Sequence, residues 1–184
     1  MMTYSVHTVE TAPEAAKETL IAAKKGLGFV PNLFAVMAEA PALVKAYTTL
    51  SRIFDETSFS ATERQVVLLT VSYVNGCEYC IAAHSVIAGM QKVPGDVVQA
   101  IREGRRIADR KLEALRGFTA AVVSARGWPS EEALGAFLGA GYGKQQVLEV
   151  VLGVGMKTLS NYTNHIAGTP LDQAFSGAAW SKAA

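Results

Sequence analysis

The stretch whose reading decides the fold is SATERQVVLLTVSYVNGCEYCIAAHSVIAGM, residues 60–90. It reads as two helices around one tight turn. Ser60-x-x-Glu63 is a capping box, in which a hydroxyl and a carboxylate satisfy backbone N–H groups at a helix start. The run that follows, Val66-Val67-Leu68-Leu69 with Val71, Tyr73 and Val74, is apolar on most sides, as in a central buried helix, and Gln65 is its polar exception. Asn75-Gly76 ends that helix and opens the next. Cys77, Cys80 and His84 recur at i, i+3 and i+7, so at roughly 100° per residue they share one narrow sector of the second helix. The spacing predicts that both thiols and the imidazole meet. It also predicts that the cysteines occupy the first turn, where free N–H groups and the helix dipole lower a thiol pKa.

Outward from this core the punctuation is helical throughout. Thr11-x-x-Glu14 is a candidate capping box with Pro13 in the first turn of a helix running to about Lys25, closed by Gly26 and Gly28. Pro31 and Pro41 sit where further helices begin, over Asn32 to Glu39 and Ala42 to Phe54. Pro94 starts another that closes at Gly104. Asp109 caps one running through Val123, Ser130 caps a short one to Leu138, and Lys144 to Ile166 carries a long apolar pattern ended by Gly168-Thr169-Pro170. The expectation is a single all-α helical bundle over residues 1–184, with its redox core at about 60–90. A shift of 81 residues places Gln146 on Gln65, Val147 on Val66 and His165 on His84. This is either an internal duplication, with Thr158 and Asn161 replacing the cysteines, or chance agreement between apolar helices.

Charged residues make up 18% of the chain, against roughly 25% in an ordinary soluble domain, and hydrophobic residues 50%. That leaves apolar surface for a partner subunit. No apolar run approaches the ~18 residues of a membrane helix. A formal net charge of +1, with no basic cluster longer than Arg105-Arg106, gives no footprint for nucleic acid. Residues Met1 to Pro13 lack the basic and apolar segments of a secretory signal, so a cytoplasmic location is expected. In such a reducing compartment, two cysteines three apart read as a redox or metal pair rather than a fold-stabilising bridge.

Thiol redox chemistry needs a thiolate, a second thiol able to close a disulfide, and a group that moves protons. Cys77, Cys80 and His84 supply all three. Zinc would need a fourth ligand, for which only His7 and His165 remain among the histidines, and covalent haem would need histidine where Ile81 stands. No metal and no cofactor are expected. His165, in a polar cluster near a helix end, reads as a cap for free carbonyls.

The segment Glu63-Arg64-Gln65-Val66-Val67-Leu68-Leu69 followed by Asn75-Gly76-Cys77-Glu78-Tyr79-Cys80-Ile81-Ala82-Ala83-His84 resembles the carboxymuconolactone decarboxylase superfamily, specifically its alkylhydroperoxidase D-like, peroxidase-related branch. Pro31-Asn32-Leu33-Phe34 and the tail from Asn161 to Asp172 resemble the same branch. The resemblance implies an all-α homo-oligomer, trimeric or hexameric, that reduces peroxides through a disulfide without haem or flavin. A dithiol or disulfide-reducing protein would supply the electrons.

The pattern departs from the family at one position. Its hydroperoxidase members carry glutamate twelve residues before the first cysteine, and Gln65 stands here. An amide cannot accept the proton, and Glu63 lies about 200° away around the helix. Gln65 is then left to support proton relay by orienting His84. The leading expectation is a thiol-dependent hydroperoxide reductase or disulfide oxidoreductase. Cys80 attacks with His84 as proton acceptor and Cys77 resolves, or the two cysteines exchange roles. The alternatives are a lactone decarboxylase, or a non-catalytic oligomeric redox sensor.

Overall fold

The structure, a computed structural model, describes residues 3–182. Nine α-helices form among them: α1 Glu14–Leu27, α2 Asn32–Met37, α3 Pro41–Asp55, α4 Ala61–Val74, α5 Glu78–Met90, α6 Gly95–Arg102, α7 Arg110–Ser124, α8 Glu131–Gly139 and α9 Lys144–Ala167. A 3-10 segment, Gln173–Ala178, follows. Every described regular element is helical, as the punctuation predicts. Among the described residues no helix is long and apolar enough to cross a membrane.

Helix α4 is the axis of the bundle, with α5, α6, α7 and α9 packed around it. Its apolar sequence follows from that position. Residues Gln65 to Ser72 are all buried, so α4 has no solvent face to keep polar over that span. The Ser60–Glu63 capping box forms as expected, and Asp109 and Ser130 cap α7 and α8 through their side-chain oxygens. The first predicted capping box does not form. Pro13 is the N-cap of α1, and the Thr11 hydroxyl instead accepts the Thr8 N–H at 2.9 Å, which ties the preceding turn.

Helix α9 approaches α3 and α4 at Gly153, where a Cβ would lie 2.8 Å from Val67 Cγ1 and 2.9 Å from Phe54 Cε2. Only glycine admits that contact. It sets the next turn of α9, beginning at Lys157, deep in the bundle. α9 is also one unbroken helix of 24 residues. The 81-residue shift would lay the α4–turn–α5 unit onto it, with Met156 and Lys157 at the turn. A continuous hydrogen-bonded helix there shows that the sequence agreement does not extend to a repeated helix–turn–helix.

Candidate active site

The turn between α4 and α5 builds the site. Cys77 N–H donates to the Ser72 carbonyl at 2.9 Å and Gly76 N–H to that of Tyr73 at 3.1 Å, while Gly76 takes φ +66°, a conformation open to glycine. Cys77 is therefore the N-cap of α5, in extended backbone, rather than a residue of its first turn. Its N–H is committed to α4. Cys80 does lie in that first turn. Both are free thiols, and neither is more than 2% exposed.

Helix α9 closes over them with a polar stripe. Asn164 Nδ2 donates to Cys80 Sγ at 3.3 Å and to Cys77 Sγ at 3.6 Å, and the Cys80 thiol faces Ser160 Oγ at 3.7 Å. Asn161 accepts from Asn75 Nδ2 at 2.9 Å and donates to Ser72 Oγ at 3.5 Å, fastening α9 to the C-terminal end of α4. Lys157 belongs to the same stripe. It is fully buried, and its Nζ has no hydrogen-bond partner among the described residues.

His84 is buried on α5, but its ring turns toward α4. Nδ1 lies 3.1 Å from Gln65 Oε1, and Gln65 Nε2 donates to Gln91 Oε1 at 3.0 Å. With the amide so oriented, Nδ1 carries the hydrogen and Nε2 the lone pair. Among the described residues no hydrogen bond joins the ring to either sulfur. The helical register does place His84 one turn beyond Cys80, and the Gln65 oxygen draws the ring away. Glu63 is committed elsewhere: its carboxylate accepts from Ser60 N–H at 2.8 Å and from the Tyr142 hydroxyl at 3.0 Å.

The surroundings separate the two thiols electrostatically. At Cys77 the hydrogen bond to Cys80 and then burial push the pKa far up, keeping the proton on. Burial opposes ionisation of Cys80 too. There the hydrogen bond from Cys77, the Lys157 charge and the Ser160 hydroxyl outweigh it, and the pKa falls well below the usual thiol range. Burial, followed by the Lys157 charge, holds His84 well below its ordinary value, so the ring is neutral. Burial opposes the charge on Lys157 itself, but the negative charge of Cys80 more than offsets it and the pKa is pushed up.

Tyr79 and the C-terminal tail secure the site's flank. The Tyr79 hydroxyl donates to Asp172 and accepts from Leu33 N–H at 3.2 Å, while Asp172 also accepts from Asn32 N–H at 3.1 Å. One carboxylate thus joins the Pro31-to-Phe34 segment to the tail. Glu78 is exposed. His7 pairs with Glu39 at 2.8 Å and His165 is exposed in the last turn of α9. Among the described residues no three His, Cys, Asp or Glu side chains gather as metal ligands would.

Sequence reasoning missed Lys157, Ser160 and Asn164. A signal for them existed. They lie at i, i+3 and i+7 of α9, the spacing that singled out Cys77, Cys80 and His84 on α5.

The sequence model of the carboxymuconolactone decarboxylase family matches residues 38–138. No curated protein sequence matches the chain significantly. Among solved structures, the chain is similar to an uncharacterised peroxidase-related protein with an alkylhydroperoxidase AhpD core from Ralstonia eutropha JMP134. The TM-score is 0.81 at 22% identity, over 94% of this chain and 93% of that one. A peroxidase-related protein from Silicibacter sp. TM1040 gives 0.79 at 17% identity, over 95% and 94%. The debrominase Bmp8 in complex with 2,3,4-tribromopyrrole gives 0.80 at 17% identity, over 97% and 95%. At these identities the likeness is one of fold.

Proposed function

Because the chain belongs to the carboxymuconolactone decarboxylase family, we propose that its two thiols form a redox centre that reduces hydroperoxides and is recharged by a dithiol donor. The observation that carries this reading is the placement of the pair. Cys80 lies in the first turn of α5 with Asn164 Nδ2 at 3.3 Å and Ser160 Oγ at 3.7 Å, whereas Cys77 is the N-cap and, of that stripe, meets only Asn164, at 3.6 Å. The direction of the pKa shifts, down at Cys80 and up at Cys77, agrees with it. A nucleophile needs the thiolate state and a resolving cysteine the thiol. Cys80 S⁻ attacks the terminal oxygen of ROOH, the S–O bond forms as the O–O bond breaks, and the departing RO⁻ takes one proton to become ROH. His84, neutral at rest, passes that proton inward from solvent at its Nε2. Cys77 S–H then attacks the sulfenic acid, closing the disulfide and releasing water. Two electrons and two protons from the donor restore both thiols.

Paired variants test this assignment. Cys77→Ser should react once with peroxide and accumulate a trappable sulfenic acid at Cys80, whereas Cys80→Ser should not react. Parental turnover in both variants would exclude the pair as the redox centre.

A second reading draws on the similarity of fold to the debrominase. The same thiolate is chemically equipped to take bromine from a haloarene. Cys80 S⁻ would become S–Br while the ring carbon gains a proton, and Cys77 would then close the disulfide as H⁺ and Br⁻ leave. Bromide release from a bromopyrrole, set against peroxide consumption, separates the two readings.

The protein is further proposed to work as a homo-oligomer, trimeric or hexameric, in the cytoplasm. Leu148, Val151, Tyr162 and Ile166 on α9 stand 51% to 70% exposed, more apolar area than one helix of a monomer ordinarily shows to water. Sedimentation at micromolar concentration measures it.

A further inference from the structure

We propose that Lys157 is a functional residue of the thiol site, its buried ammonium acting as the resident counter-ion of the Cys80 thiolate. The proposal rests on Cys80 being the attacking sulfur. It begins from an anomaly of burial. Lysine is almost never fully buried unless paired, because an isolated ammonium loses its hydration in the interior. Lys157 is 0% exposed, no carboxylate lies within ion-pair distance, and its Nζ has no hydrogen-bond partner among the described residues. An ammonium there either sheds its proton or is compensated by a nearby anion.

The fold points to the second, and to its anion. Ser160 and Asn164, three and seven residues along the same face of α9, both reach Cys80 Sγ. Lys157 therefore enters the bundle on the stripe that surrounds this sulfur. The titratable groups around it are Cys77, Cys80 and His84 on α5 and Tyr47 on α3, with Tyr79 and Asp172 behind Cys80. Asp172 is already held by Asn32 N–H and the Tyr79 hydroxyl. Burial keeps the phenols of Tyr47 and Tyr79 protonated, His84 can carry no negative charge, and of the two thiols Cys80 alone is met by both Ser160 and Asn164 of the Lys157 stripe. Cys80 is the one group left to bear it.

This arrangement also gives Gln65 a physical context. A site that forms its thiolate by passing the proton to a histidine–glutamate pair needs a carboxylate at the far end. A site with a standing ammonium does not, since the ion pair exists before substrate arrives. Lys157 also disfavours an imidazolium nearby, which agrees with the neutral His84.

The test reads charge rather than turnover. In Cys77→Ser, which leaves a single thiol, the thiolate absorbance near 240 nm is titrated with and without Lys157→Met. The added substitution should raise the Cys80 midpoint by about one pH unit or more, a roughly tenfold or larger change in its ionisation constant. An unchanged midpoint would overturn the proposal. Should Lys157→Met not fold, NMR of the parent chain carrying 13C at lysine Cε reads the same claim. The buried lysine should lose its proton at lower pH in the disulfide form than in the reduced form, because oxidation removes its counter-ion. Equal titration in the two forms overturns the proposal just as directly. Peroxide turnover, measured separately, bears only on the substrate assignment.

Discussion

Asn164, 84 residues beyond Cys80 in the chain, directs its side-chain N–H at the Cys80 sulfur across 3.3 Å. A donor so placed stabilises a thiolate more than a thiol, since hydrogen bonds to charged acceptors contribute roughly twice as much as neutral ones. Asn164→Ala should therefore slow the first, single-turnover reaction with peroxide by roughly tenfold, the lower end for a hydrogen bond to a charged group. Stopped-flow measurement of sulfenic acid formation checks it. A rate equal to the parent's would show that the amide only fills space.

The contact between His84 Nδ1 and Gln65 Oε1 sets the next expectation. A carboxylate at position 65 favours the charged imidazole, the form that can deliver a proton to the leaving alkoxide. Gln65→Glu should raise steady-state peroxide reduction near neutral pH by roughly tenfold. It should leave the Cys80 thiolate titration almost where it was, because that rests on α9. His84→Gln should remove most turnover in either background. A neutral or harmful Gln65→Glu beside a severe His84→Gln would mean that the amide suits another substrate.

His84 also gives stability a pH signature. Burial, and then the Lys157 charge, hold the folded ring well below the ordinary 6.5, so it is neutral when folded. The unfolded chain binds that proton at about pH 6.5 and the folded chain does not. Stability from this group is therefore fully present above about pH 6.5 and is lost as the pH falls toward the folded value. Glu63 and Glu113, lowered by hydrogen bonds that outweigh their burial, lose their contributions only below their ordinary 4.5. The thermal midpoint should decline between about pH 6.5 and 5, and His84→Gln should make that segment shallower, leaving the slope due to Cys80. Parallel slopes in the two proteins would contradict it.

Much of the fold was legible because its determinants are local. Ser60 with Glu63, Asp109, Ser130 and the positive φ of Gly76 each act within a few residues, and each appears where the sequence places it. Thr11 was misread because two neighbours competed for its hydroxyl, and the Thr8 N–H took it. Half of the site was legible for the same reason, since Cys77, Cys80 and His84 share one turn-and-helix unit. The other half comes from α9, brought against the thiols by Gly153, and the partner of such long-range packing is not written in the local sequence of α9. Inverted polarity was the available clue. Lys157, Ser160, Asn161 and Asn164 face inward while Leu148, Val151, Tyr162 and Ile166 face water, the reverse of an ordinary surface helix.

The most direct measurement of the central claim is a thiol count with an intact-mass determination after one equivalent of a hydroperoxide. The account predicts loss of both thiols, a mass lower by two hydrogens, and full recovery on adding a dithiol. Two thiols still titratable, with the mass unchanged and the peroxide unconsumed, would contradict it.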